Sequence, residues 1–122
     1  LIKYYLQHKM GIKEADITDF LVKIKALIET LKEFRSISPA GRVTLKFLNE
    51  SNELLKKDEI MLGIGNIERE AEVVIFSDKV NSLLDKQINF QSLWLDGSIE
   101  VAGDSELLLW FSKLLSKLER YG

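Results

Sequence analysis

The hydrophobic period changes partway along the chain, and that change limits the folds open to it. Ile17, Phe20, Leu21, Ile24, Leu27, Ile28, Leu31 and Phe34 recur at steps of three and four, with Asp19, Lys23, Lys25, Glu29, Lys32 and Glu33 between them. This spacing predicts a helix over 17–34 packed by one face on a core, with Asp16 or Thr18 as its N-cap. Beyond Arg42 the period becomes two. Val43, Leu45 and Phe47 alternate with Thr44 and Lys46, the pattern of a strand with one buried face. Between the two periods, residues 35–41 hold Ser36, Ser38 and the only proline, Pro39, and read as a loop. A chain carrying both periods has to lay helices against a sheet.

The rest of the chain continues this order. Leu1, Ile2, Tyr5, Leu6 and Met10 lie at near-helical spacing and Gly11 offers a C-cap, so 1–11 reads either as a short helical extension or equally as a frayed end or a graft onto a partner. After a turn at 49–52 and a short strand at Leu54 and Leu55, Ile60, Leu62 and Ile64 alternate with Met61, Gly63 and Gly65 as a second main strand. Residues 66–69 read as a turn and 71–76 as a third strand, rich in β-branched Val73, Val74 and Ile75. Ser77 or Asp78 caps a helix to about residue 86, with Val80, Leu83 and Leu84 as its stripe. Residues 87–95 follow neither period: they are either an apolar loop or a strand paired with 98–101 through the Asp96-Gly97 turn. Asp104 or Ser105 caps the last helix, which runs to about Arg120. The expected fold is a two-layer α+β domain over 1–122, with a largely antiparallel sheet, helices on one face and solvent on the other.

The chemistry available is narrow. In 122 residues with net charge −2 the two signs are interspersed, and only Lys56 and Lys57 form a basic pair. Nucleic acid is therefore not an expected partner, because it needs a clustered basic footprint. There is no cysteine, hence no disulfide, no thiol nucleophile and no thiolate zinc site, which fits a cytoplasmic location. His8, the only histidine, lies between Gln7 and Lys9 and reads as a surface residue. No G-x-S-x-G elbow occurs. Gly63-Ile64-Gly65 continues into neither a dinucleotide fingerprint nor a Walker motif. Glu100 faces water, and Asp96 and Asp104 occupy turn and cap positions, so no acid and base pair stands out. The expectations are no enzyme, no metal, no cofactor, no secretory signal and no membrane span.

One pattern is left over. Leu107, Leu108, Phe111, Leu115 and Leu118 already supply the stripe a sheet-covering helix needs, and Leu109, Trp110 and Leu114 widen it. Burying one such side chain stabilises by about 1.5–3 kcal/mol, so the excess has a use: core, an apolar cavity, or another chain. Ile88, Phe90, Leu93, Trp94 and Leu95 crowd the segment before the last strand. A gap between that segment and the last helix would bind an apolar ligand through burial.

The C-terminal half resembles the sterol carrier protein 2 family. The resemblance rests on Ala71-Glu-Val-Val-Ile-Phe-Ser77 with a short helix after it, then Leu95-Asp-Gly97-Ser-Ile99-Glu-Val101-Ala-Gly103-Asp104, then the Leu-rich helix. It implies a sheet of about five strands covered on one face by helices, and carriage of lipids, fatty acyl chains or sterols in a tunnel between the layers. Phe76, Leu84, Phe90, Trp94, Leu108 and Phe111 are then the tunnel candidates, joined by Trp110 and Leu114 from the widened stripe. The alternative is a protein-interaction or dimerisation module, a homodimer formed through the same apolar surface.

Overall fold

The computed structural model describes the backbone of residues 2–84 and 90–121 and the side chains of residues 16–80, 83 and 90–118. Its first element is α1 (Ile2–Thr30), which buries Ile17, Phe20, Leu21, Ile24 and Leu27, the predicted stripe. Two of its boundaries differ from expectation. The helix passes through Gly11 instead of capping there, and Asp16 and Thr18 are interior to it. A glycine inside a helix costs only about 1 kcal/mol relative to alanine, and Lys13, Glu14 and Ala15 beyond it are good helix formers. At its other end the helix stops before residue 34. Leu31 adopts φ −99° and ψ 105°, and Lys32–Phe34 form a 3-10 turn that still buries Phe34.

Four strands follow: β1 (Ala40–Leu48), β2 (Leu54–Leu62), β3 (Ile67–Phe76) and β4 (Ile99–Gly103). Their order across the sheet is β2-β1-β3-β4. β1 runs antiparallel to β2, with Val43 opposite Ile60, and parallel to β3, with Val43 opposite Ala71. β4 closes the other edge antiparallel to β3. Among the described residues the sheet is therefore mixed and four-stranded, against the expected five, largely antiparallel strands. Leu54 and Leu55 do not form a strand of their own. An irregularity between Phe47 and Leu48 in the β1–β2 ladder lets β2 run unbroken from Leu54.

The parallel pair has a local cause. The chain leaves β2 and crosses the start of β1 before entering β3. Gly63 and Gly65 make that crossing at φ +89° and +108°, so Ile64, expected in a strand, sits in the crossing loop and is 80% exposed. A Cβ on Gly63 would lie 2.2 Å from the Ile37 carbonyl oxygen, and the Gly63 N–H donates to the Phe34 carbonyl at 2.8 Å. Only glycine gives the loop this seat on the 3-10 turn. Ile67 and Arg69, expected in a turn, already belong to β3.

The remaining helices are α2 (Ser77–Leu84), α3 (Phe90–Leu95) and α4 (Ser105–Tyr121). Residues 90–95 are thus neither strand nor loop. Asp96-Gly97 ends α3 rather than turning a hairpin: Ser98 N–H donates to the Leu93 carbonyl at 2.9 Å and Gly97 N–H to Trp94 at 3.2 Å, with Gly97 at φ +82°. Those two bonds and that φ make a Schellman motif. α2 and α4 lie against the sheet face made by Val43, Leu45, Phe47, Ile60, Leu62, Val73 and Ile75, all buried, and α1 reaches it through Phe20, edge-on to Phe47 at 6.0 Å. Gly41 lets α4 approach closely, since a Cβ there would fall 2.6 Å from a Leu107 methyl. At the sheet edge Lys25 of α1 meets Asp58 of β2 at 2.7 Å.

Candidate functional site

α4 begins where Asp104 caps it. The Leu107 N–H donates to Asp104 Oδ1 at 2.8 Å, and Glu106 in the first turn meets Arg69 at 2.9 Å. With its start pinned, the helix turns Leu107, Leu108, Phe111, Leu114, Leu115 and Leu118 onto the sheet, all of them buried. The excess residues separate. Leu114 belongs to the buried stripe, Leu109 faces water at 59% exposure, and Trp110 stands on the flank, half-buried. The Trp110 ring meets Phe34 edge-on at 6.0 Å, with the Lys113 ammonium 4.8 Å from its centre.

α3 covers the other flank. Phe90 meets Phe111 edge-on at 5.5 Å and Trp94 at 6.3 Å. Phe90, Trp94 and Phe111 therefore form one ring-to-ring series beside Leu108 and Leu114, five of the predicted tunnel residues on neighbouring elements. The cover is thin: Trp94 is 37% and Leu95 87% exposed. Two other predicted residues are not placed with them. Phe76 alternates with inward-facing Ile75 and is half-buried on the opposite side of β3. The side chain of Leu84 lies outside the described residues.

Ser77 is the feature that its sequence position conceals. A serine ahead of an apolar helical stripe is normally an N-cap. Here Ser77 is the first residue of α2, it is 5% exposed, and its Oγ has no hydrogen-bond partner. It continues the inward-facing set Ala71, Val73 and Ile75. An unpaired buried hydroxyl costs about 1–3 kcal/mol.

The solvent face of the sheet carries an open depression of about 410 Å³, lined by Arg42, Thr44, Lys46, Glu59, Glu70 and Glu72 among others. Arg42 pairs with Glu70, whose hydrogen bond and charge raise the guanidinium above its ordinary value, and Lys46 pairs with Glu72. This hollow is polar and lies behind the sheet from Phe111 and Leu114. A smaller one, about 180 Å³, lies between α1 and β2 and is lined by Ile17, Thr18, Leu55 and Lys56. Among the described residues no three Asp, Glu or His side chains gather as a metal set, and no helix is long and apolar enough to cross a membrane.

The glycines and aspartates from 97 to 104 have structural work here. Gly97 ends α3, and Gly103 at φ +103° lets β4 close on β3. The Asp104 N–H donates to the Glu70 carbonyl at 2.9 Å. Four strands in this order, backed on one face by helices and closed by a capped Leu-rich helix, define a sterol carrier protein 2-like fold. Solved structures share it. The crystal structure of sterol carrier protein 2 like 2 from Aedes aegypti superposes with a TM-score of 0.58 at 17% identity, covering 82% of this chain and 96% of that one. The solution structure of the palmitated form of that mosquito protein gives 0.55 at 17% identity, over 79% of this chain and 90% of that one. Sterol carrier protein 2 like 3 from the same organism gives 0.55 at 14% identity, over 83% and 97%. No family model and no curated protein matches the sequence.

Proposed function

We propose that this chain is a non-catalytic carrier that holds an apolar ligand, a lipid, fatty acyl chain or sterol-like molecule, between the sheet and its helices, acting in the cytoplasm. The observation that carries this reading is the Trp94–Phe90–Phe111 ring series between a six-residue helix and α4, within a sterol carrier protein 2-like fold. A helix this short makes little intrinsic structure of its own, and displacing it opens the apolar interlayer. Phe90, Trp94, Leu108, Phe111 and Leu114 line the proposed site, with Trp110 on its flank. Phe76, half-buried on the opposite side of β3, stands outside the proposed site. Affinity comes from burial, and no residue here needs to do chemistry.

The test is a chain-length series of saturated acyl probes, with native mass spectrometry of protein purified without detergent. A micromolar constant needs about −8.2 kcal/mol. At about 0.8 kcal/mol per buried methylene, roughly ten methylenes offset that before ordering costs. Affinity therefore falls steeply as the probe shortens. Binding indifferent to chain length contradicts burial, and a clean ligand-free dimer favours the interaction module.

A further inference from the structure

We propose that β2 is a self-association edge: two copies of this chain pair their β2 strands antiparallel about a two-fold axis at Asp58, joining two four-stranded sheets into one. This goes beyond the carrier reading and does not depend on it, because β2 lies at the sheet edge opposite β4 and α3. β2 is nine residues long and, among the described residues, has a strand neighbour on one side only, β1. The N–H and C=O groups on its open side lack ladder partners. The Glu59 N–H donates instead to the Asp58 side chain at 2.8 Å. Among the described residues nine large apolar side chains are exposed, and four of them gather at this edge. Leu54, Leu55 and Met61 belong to β2. Val22 lies on the α1 flank that carries Thr18 and Lys25, which reach Leu55 and Asp58. An apolar concentration of this kind marks a contact surface.

Charge decides the occupant. β2 reads Leu-Leu-Lys-Lys-Asp-Glu-Ile-Met-Leu, basic then acidic between apolar ends. Lysines on an edge ordinarily repel foreign strands. An antiparallel copy instead brings the acidic half of one strand against the basic half of the other. Opposite residues in a ladder share a face, and Lys57 and Glu59 both lie on the solvent face, where they line the polar depression. With the axis at Asp58, Lys57 faces the partner's Glu59 and Glu59 faces the partner's Lys57. The Leu55 end of each strand then meets the Met61 end of the other. Among the described residues neither Lys57 nor Glu59 makes an ion pair: opposite Lys57 on β1 is Lys46, held by Glu72, and opposite Glu59 is Thr44. Asp58 and the partner's Asp58 meet at the axis, and each already holds the Lys25 ammonium of its own chain at 2.7 Å. A register centred on Lys57 would oppose two unpaired lysines.

The experiment is sedimentation equilibrium of the full chain over a concentration series at low ionic strength, on the parent, Lys57→Glu, Glu59→Lys and the double variant carrying both. The parent should show a monomer–dimer equilibrium. Each single reversal opposes like charges at two symmetry-related positions and should raise the dimer dissociation constant about tenfold or more. The double reversal restores opposite charges and should return the constant to near that of the parent. Both positions are exposed, and melting temperatures near the parent's show that the fold is intact. A parent that stays monomeric throughout the series overturns the proposal. So does a dimer indifferent to the single reversals, which places the contact elsewhere, the α3–α4 surface included. A double variant as weak as the singles also overturns it.

Discussion

Gly97 and Gly103 allow backbone strain to be separated from close approach. Both have positive φ, +82° and +103°. A Cβ on Gly97 would meet nothing within 4 Å, whereas one on Gly103 would fall 2.5 Å from the Glu70 carbonyl oxygen and 2.7 Å from the Ala71 Cα. Alanine at Gly97 therefore carries the conformational penalty alone, about 1–2 kcal/mol. Alanine at Gly103 carries a similar penalty and a clash with backbone held in the ladder. Relief requires β4 to move off β3. That movement weakens the Ala71–Gly103 pairing and the Asp104 N–H bond to Glu70, at about 0.5–1.5 kcal/mol per hydrogen bond. It also disturbs the capped start of α4. Gly103→Ala should thus cost about 3–5 kcal/mol in all. Urea melts of the parent and the two variants measure this directly. A Gly103→Ala loss within about 1 kcal/mol of the Gly97→Ala loss would refute the close-approach reasoning.

Two further outcomes follow from named contacts. Burial pushes the Asp58 carboxyl up, but hydrogen bonds from Lys25 and the Glu59 N–H, with the charges of Lys25 and Lys56, hold it below its ordinary value. Its contribution is present above the unfolded carboxylate pKa, about 3.9, and is lost as pH falls through the lower folded value. The urea midpoint should therefore drop less steeply with acid in Lys25→Met than in the parent, and identical slopes count against the pairing. Trp110→Ala should cost about 2–3 kcal/mol, less than the 3–5 of a fully buried tryptophan, and should weaken acyl-probe binding in the folded variant. A stable variant with unchanged binding removes Trp110 from the proposed site.

Much of the architecture was legible because it repeats. The α1 stripe, the alternation of β1 and the α4 stripe each recur over several residues, and Asp104 sits where a cap belongs. α3 was not legible: six residues are too few to establish a period, and Asp-Gly serves a hairpin and a helix end equally well until its hydrogen bonds are known. The candidate site was half legible. Leu114 stood out because it widens the α4 stripe beyond what one sheet face needs, whereas Leu108 and Phe111 belong to the ordinary stripe and became candidates only through the family resemblance. The contact of Trp110 with Phe34, far apart in the chain, carried no local signal. Neither did the unpaired hydroxyl of Ser77, which looks in sequence like an ordinary cap.

Residue order alone settles which face of each long element is apolar, and hence that helices cover one side of a sheet. Periodicity is a property of neighbouring residues, and a buried face is its direct consequence. Tertiary structure alone decided which strands are neighbours, and with them the parallel β1–β3 pair and the face on which Phe76 falls relative to the helices. Those choices depend on where the 63–66 crossing can seat against Phe34 and Ile37, a contact between distant segments that no local pattern encodes.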